Sequence, residues 1–360
     1  MLKFLLSMSL FVSATMSMTA QTVQSFIQKG IQLHDASKFA EAISQFEAAI
    51  KIDPKNSTAH YEMANTYLAM EKYNETIDHA EKSLKFQKYK DAEAYTLIGT
   101  AYDMLGNPKK AVKAYEDGIK MNPKQYNLYY NLAITQYNQK EFDKAETAVM
   151  GSIKNNPKHA NSHFLLANLQ LSKDKRIKAM LPFYMFLCVQ PNDKRAPSVR
   201  TSLDKLFNKG VSVDEKDDKS ITISLAPVDD KEEFGIQEMT LSLMSSLEQG
   251  ELSKVMDSLK IVTTPQEKFN KTTKMFFELL SDKEDKKKSK KSDSFWQTSY
   301  VNVFNEILEN GHLEAFCHSI NGYTSEGIKN DVQKWQKDNP EKVVSYKIWM
   351  EGKGLSSAEK

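Results

Sequence analysis

Small, bulky and helix-breaking positions recur through the first half of the chain at a fixed interval. Pro123, Pro157 and Pro191 are 34 residues apart, and each closes a similar phrase: Lys120-Met121-Asn122-Pro123, Asn155-Asn156-Pro157 and Val189-Gln190-Pro191. Pro54, in Lys51-Ile52-Asp53-Pro54, is the same phrase about two periods earlier. Ala42, Ala111, Ala145 and Ala179 each stand twelve residues before such a proline, and Phe46, Tyr115, Val149 and Phe183 follow four later. A second small set, Gly30, Ala64, Gly99, Ala133 and Ala167, falls one helix earlier. A small residue facing a large one lets two helices approach closely. A proline, lacking an N–H and clashing backward, stops the second helix. A period of 34 with this content predicts five stacked helical hairpins over 23–56, 57–91, 92–125, 126–159 and 160–192.

After Pro191 the pattern changes. From Ala196 to Asn208, Val199, Leu203, Leu206 and Phe207 share one face, while Arg200, Asp204 and Lys205 lie elsewhere. That suits a helix covering the open end of a solenoid. Residues 209–219 are polar and read as a linker. Ile221, Ile223 and Leu225 alternate with Thr222 and Ser224, which predicts a short strand, with Val211-Ser212-Val213 as its hairpin partner. Helices then dominate 220–350. Ile236, Met239, Leu243 and Leu247 are at helical spacing within Phe234 to Leu247. Thr264-Pro265-Gln266-Glu267 has the form of a capping box, opening a helix that carries Phe269, Phe276 and Leu280. Residues 282–293 are lysine-rich and read as a disordered loop. Its acidic neighbours and lack of interleaved aromatics argue against a polyanion or membrane patch. Phe295, Trp296, Tyr300, Phe304, Ile307 and Leu308 form an aromatic helix face ended by Gly311. Leu313 to Ile320 and Thr324 to Lys337 are further helices, Trp349 is a core anchor, and 351–360 is a disordered tail.

Residues 23–192 resemble the tetratricopeptide repeat family. The second unit departs from it with Thr76 in place of alanine, Lys88 in place of proline and one extra residue. The fifth departs with Arg176 where an aromatic is common and with Pro182 inside its second helix, which is expected to kink that helix or shorten its first turn. The resemblance implies an all-α fold: an α-solenoid of about five hairpins with a capping helix (21–208), then a mostly helical C-terminal domain. It also implies a concave groove lined by the first helix of each unit. Carried onto this chain, the lining positions are Ile27, Ile31 and His34, then Tyr61, Asn65 and Leu68, then Thr96, Thr100 and Asp103. The fourth unit adds Asn127, Tyr130, Ile134 and Tyr137, and the fifth Asn161, Phe164, Asn168 and Leu171. Tyr offers large contact area with little rotamer loss, and Asn can bond both the N–H and the C=O of an extended backbone. The implied partner is a protein or peptide held by its main chain and apolar side chains. Relatives that grip acidic chaperone termini use a lysine and an asparagine on one helix. Ile27 and Ile31, Tyr61 and Asn65, Thr96 and Thr100 stand at those positions, so that clamp is not expected. The stretch from Phe295 to Phe316 is also similar to segments of exported repeat proteins of the Bacteroidota.

Charged residues make up 27% of the 360, mean hydropathy is −0.54, and the net charge is +2 from 49 basic and 47 acidic residues. A balance so near neutral gives no global attraction to nucleic acid or anionic membrane. Residues 1–20 stand apart. Lys3, an apolar run from Phe4 to Val12, and Met18-Thr19-Ala20 before Gln21 have the layout of a secretory signal. The expected location is therefore the periplasm, the cell surface or beyond. No other stretch is apolar for long enough to cross a membrane. Cys188 and Cys317 are two buried thiols or one long-range bridge, the former being expected.

Few residues invite a chemical role. His159 and His163 are four apart and could share a metal, yet no third ligand stands near and His163 falls where the repeat wants a large packed residue. Cys317-His318, with His312 nearby, places a thiol beside a base, but adjacent helical residues point in different directions. P-loop, Rossmann, HExxH and GxSxG patterns are absent from the sequence. Neither a metal nor a cofactor is expected. The expectation is a noncatalytic scaffold or adaptor. Its rivals are an enzyme with its site in 220–350 and a structural component of envelope assembly.

Overall fold

The structure is a computed structural model that describes residues 21–86, 92–213, 221–223, 232–249, 264–281, 294–321 and 326–355. The leader call on 1–20, the lysine-rich loop and residues 356–360 lie outside these, as does Lys88. The chain divides into two compact units between Asn155 and Asn156.

The first unit is a run of helical hairpins: α1 (21–35) with α2 (Phe39–Ile52), α3 (Ser57–Ala69) with α4 (Tyr73–Phe86), α5 (Glu93–Met104) with α6 (Pro108–Met121), and α7 (Tyr126–Asn138) with α8 (Phe142–Asn155). Capping defines the starts. The Asn56 side chain accepts from the Ala59 N–H at 3.0 Å, and Asn107 from Lys110 at 3.3 Å, with Pro108 in the first turn. The small-against-large pairing is present. A Cβ on Gly30 would lie 2.4 Å from the Phe46 ring, and one on Gly99 2.3 Å from Tyr115. At the corresponding places of the second hairpin, Ala64 and Ala80 share one apolar cluster with Ile98 and Leu97. Thr76 is fully buried where alanine was expected, and it fits because its hydroxyl donates to the Lys72 carbonyl at 2.9 Å.

Every hairpin turn repeats one device that the residue types conceal. Ser37, Glu71, Gly106, Lys140 and Asp174 all have φ between 55° and 70°. The next residue's N–H reaches back to the last turn of the first helix, as Lys38 to Leu33 at 2.8 Å and Glu141 to Gln136 at 2.9 Å. This is a Schellman closure, in which a left-handed residue turns the chain so that otherwise orphaned carbonyls are satisfied. Only one of the five is glycine.

The second unit starts with the fifth hairpin, α9 (Ala160–Ser172) and α10 (Arg176–Val189), followed by α11 (Ala196–Phe207). A two-stranded antiparallel sheet, β1 (Val211–Val213) with β2 (Ile221–Ile223), pairs Val211 with Ile223 and Val213 with Ile221. Then come α12 (Gly235–Gln249) and α13 (Pro265–Leu280). A π-helical turn at Gln297–Val301 leads into α14 (Asn302–Glu309). Next are α15 (Leu313–Asn321), α16 (Glu326–Asp338) and α17 (Pro340–Gly352).

Within this unit α10 is enclosed. Of its 14 residues only Lys178 is not buried, and Pro182 is accommodated in a helix whose first turn is intact. Tyr184 lies at the centre: its ring stacks on Phe276 at 5.6 Å, meets Phe277 edge-on at 5.3 Å and approaches Phe304 and Phe316. Phe277 in turn stacks on Phe304 at 4.4 Å. Such offset and edge contacts add to the apolar burial. The capping box at Thr264 is formed in both directions, at 3.2 and 2.7 Å.

The face of α12 differs from the one that its apolar spacing predicts. Ile236 and Leu243 are exposed at 57% and 40%, while Leu241, Ser242 and Ser245 are buried. The reason is a polar demand from α10. Glu238 caps its N-terminus by accepting from the Ile177 N–H at 2.7 Å, and Ser242 accepts from the buried Arg176 guanidinium at 2.9 Å. Arg176 also donates to the Phe207 carbonyl at 2.6 Å, which explains how a cation stands where the repeat favours an aromatic.

Candidate peptide-binding groove

Tyr61, Asn65 and Leu68 lie on α3, Thr96, Thr100 and Asp103 on α5, and Asn127, Tyr130, Ile134 and Tyr137 on α7. Spacings of three, four and seven keep each set on one helix face. In the first unit α3 touches α5 and α5 touches α7, so the first helices form a continuous layer. All ten of these side chains are half-buried, as are Ile31 and His34, whereas Ile27 is buried in the core.

Polar links staple that layer together. His34 Nδ1 and Thr66 Oγ1 are 2.9 Å apart, and Thr135 donates to Asp103 at 2.6 Å. Both links span 32 residues and join equivalent positions of neighbouring repeats. The Tyr115 hydroxyl also donates to Asp103 at 3.1 Å and lies 3.4 Å from Thr100. Burial raises the Asp103 carboxyl above its usual range, against the pull of those two hydroxyls. Asp103 and Thr100 therefore hold the layer, while among the described residues the Asn65 and Asn127 side chains make no such bond, and Ile134 adds an apolar lining position. The Thr96 hydroxyl oxygen is buried with no partner among the described residues.

Asn161, Phe164 and Asn168 lie on α9, in the second unit. There Arg195 donates to Asn161 at 2.8 Å and stacks over Phe164 at 4.6 Å. Phe164 also meets Phe186 at 5.4 Å, and the Asn168 amide donates back to the Phe164 carbonyl at 2.7 Å. Leu171 is exposed at 37%. Tyr115, Thr135 and Arg195 took no place in the sequence-based site. Thr66 and Thr135 share one repeat position, a signal visible only once the partner at the preceding repeat is known.

The candidate chemical groups are committed elsewhere. His163 is buried, and since a carbonyl only accepts, its Nε2–H donates to Pro157 at 2.8 Å. Its Nδ1 then accepts from the Tyr300 hydroxyl at 2.9 Å, and burial lowers the ring's pKa to about 4. His159 is bonded to Ser162 at 2.7 Å, so the two rings do not form a metal pair. His60, at the same repeat position as His163, likewise reaches the Pro54 carbonyl at 3.1 Å. Cys188 and Cys317 are free, buried thiols, and burial pushes both up, Cys188 to about 12. A protonated, enclosed Cys317 is no nucleophile. His318 stacks flat on Trp335 at 4.0 Å. Among the described residues no three His, Cys, Asp or Glu side chains gather as metal ligands, and no helix is long and apolar enough to cross a membrane.

The repeat-bearing part of this chain has counterparts among known families. Tetratricopeptide repeat families match residues 56–124 and 104–169, and a further repeat family of the same kind matches 30–71. Residues 30–169 thus carry tetratricopeptide repeats. The chain is 28% identical over 130 residues to tetratricopeptide repeat protein 6 of Homo sapiens, covering 34% of this chain and 23% of that one. It is 30% identical over 105 residues to the Hsp70-Hsp90 organizing protein of Triticum aestivum, covering 29% and 18%. The chain thus spans about a fifth of the length of these relatives. Among solved structures it is similar to pilF of Pseudomonas aeruginosa, at 14% identity and a TM-score of 0.44, over 52% of this chain and 90% of that one.

Proposed function

We propose that this chain is a noncatalytic adaptor, exported from the cytoplasm, whose repeats hold an extended segment of a partner protein against α3, α5 and α7. The observation that carries this is the half-buried row of Tyr61, Asn65, Asn127, Tyr130 and Ile134 on successive first helices of tetratricopeptide repeats. Proteins of this repeat type generally bind proteins or peptides. Half-burial fixes the rotamers of these side chains while leaving their outer edges to contact a ligand, so little ordering cost is added on binding. The amides supply paired donors and acceptors for a main chain, and the rings supply apolar area. Similarity to the Hsp70-Hsp90 organizing protein does not extend to an acidic-terminus partner, because Ile27, Ile31 and Thr96 stand where basic or amide groups would be needed. Export is supported by the Lys3 to Ala20 pattern and is tested by whether the cell-envelope form of the chain begins at Gln21.

The test of the groove is an affinity capture from envelope extract with residues 21–360, run beside the Tyr61→Ala, Asn65→Ala, Tyr130→Ala triple variant. A protein retained by the natural chain and lost by the variant, with the variant's thermal unfolding unchanged, supports the groove. Equal retention by both removes it.

A further inference from the structure

The fifth hairpin holds a cation at the positions where the repeats line their groove. Arg195 donates from Nη2 to Asn161 Oδ1 at 2.8 Å, and its guanidinium lies over the Phe164 ring at 4.6 Å and beside Phe186 at 5.0 Å. Its Nε and Nη2 also donate to the Asp193 carboxylate at 2.8 Å. The guanidinium thus has an edge acceptor, a ring face and a counter-charge, which are the contacts that suit its planar, delocalised cation. Asn161 and Phe164 are three apart on α9 and share its face. The same pair stands 34 residues earlier, in the first unit, as Asn127 and Tyr130 on α7. Both are half-buried and keep surface open to solvent, and among the described residues the Asn127 side chain makes no hydrogen bond. Arg195 fills the pair on α9 from within the chain, whereas α7 carries no charged residue of its own.

Charge on the groove layer points the same way. The acidic residues of α1, α3, α5 and α7 are Asp35, Glu62, Glu93 and Asp103, against the single basic residue Lys29. The lysines of this unit stand mostly on the second helices, as Lys109, Lys110, Lys113 and Lys120 do on α6. Burial raises the Glu62 carboxyl above its usual range, and the charges of Asp35 and Glu93 raise it further, so these carboxylates lie in one another's field. Glu93 is exposed and occupies on α5 the repeat position that Asn127 has on α7. A layer of this sign attracts a cation and repels an acidic segment.

We propose that the extended segment held by the first unit carries an arginine, its guanidinium donating to Asn127 Oδ1 and stacked over the Tyr130 ring as Arg195 is on Asn161 and Phe164. This deepens the adaptor reading and rests on it. Ser152 is the counterpart of Phe186, so the incoming arginine meets one ring where Arg195 meets two. Arginine is preferred to lysine because a planar guanidinium can stack flat and bond through its edge at once, and a compact ammonium cannot.

The experiment is fluorescence-polarisation binding of residues 21–360 to pools of short, acetylated, dye-labelled peptides. The pools differ only in a central residue fixed as arginine, lysine, citrulline or glutamate, and their other positions are drawn from uncharged residues. Citrulline keeps the shape and loses the charge. The arginine pool is expected to bind about 10-fold more tightly than the citrulline pool, with lysine between them and glutamate weakest. In Tyr130→Ala and in Asn127→Ala the ratio of arginine to citrulline affinity falls to about 2 or below, because each removes one of the two contacts. The ratio cancels any general weakening of the groove, and the citrulline comparison needs no variant that must fold. The proposal fails if arginine and citrulline bind alike, if lysine equals arginine, if both variants keep the full ratio, or if no pool binds. In each of those cases the envelope capture decides the groove by itself: a partner held by the natural chain and lost by the triple variant leaves the groove standing without its arginine.

Discussion

The two units use one hairpin motif in opposite ways. In the first, the second helix of each hairpin is two-faced: α6 buries Ala111, Ala114, Tyr115 and Gly118 and exposes its lysines. In the second, the equivalent helix α10 is buried on almost every side and becomes the axis of an aromatic core. The same spacing of small residue, large residue and closing proline underlies both. The difference comes from the residues between those positions, which are charged in α6 and apolar in α10, and from the helices available to cover them. A repeat is thus a scaffold for packing, and its exposure is set by its surroundings.

The sharpest way to break this comparison is Tyr184→Ala. It removes the ring that meets Phe276, Phe277, Phe304 and Phe316 and is expected to cost the second unit about 3–5 kcal/mol. Urea unfolding followed by a probe in each unit should show the first unit's transition unmoved. A joint shift would mean that the units unfold as one.

Acid should act on the second unit through His163. Its folded pKa is lowered from 6.5 to about 4, so the unfolded chain takes up the proton first. This stability is complete above pH 6.5, is lost as pH falls toward about 4, and changes little below that. Its full extent is about 3 kcal/mol. Gln can donate to Pro157 and accept from Tyr300, so His163→Gln should flatten the profile across that window. A slope that is the same in both chains assigns the acid sensitivity to other groups.

Gly99→Ala sharpens the comparison from the other side. A helical glycine normally gains stability as alanine, yet here the new methyl meets the Tyr115 ring, and a loss of about 1–3 kcal/mol is expected. A gain in Tm would show that α5 and α6 slide apart at little cost. The smallest effects belong to the turns. Ser37→Gly and Lys140→Gly should each stabilise by about 1 kcal/mol by relieving a left-handed side chain, and Gly106→Ala should lose a similar amount. Melting curves that move the other way would mean that their side chains stabilise the turn.

Much of the fold is legible without coordinates. The proline phrases and the small-large alternation mark the hairpins, and the Gly30–Phe46 and Gly99–Tyr115 contacts are where the pattern puts them. The Thr264 capping box and the strand pair at 211–213 and 221–223 follow from local chemistry that needs no distant partner. Four of the five left-handed turn residues carried no signal, because Ser, Glu, Lys and Asp are tolerated there by the Schellman bonds around them. The buried face of α12 was misread for a related reason: apolar spacing cannot report that a neighbouring helix needs a carboxylate and a hydroxyl at its N-terminus.

The sequence by itself determined the period, the helices and the candidate lining of the groove, since these depend on interactions within about one repeat. Only the tertiary structure decided that α10 is a core helix, that His163 is a neutral ring between Pro157 and Tyr300, and that Asp103 is stapled to Thr135. It alone left both terminal nitrogens of the buried Arg200 without a partner among the described residues. Each of these depends on residues from tens to more than a hundred positions away, and burial, which sets their charge states and partners, is a property of the whole packed unit rather than of any stretch of chain.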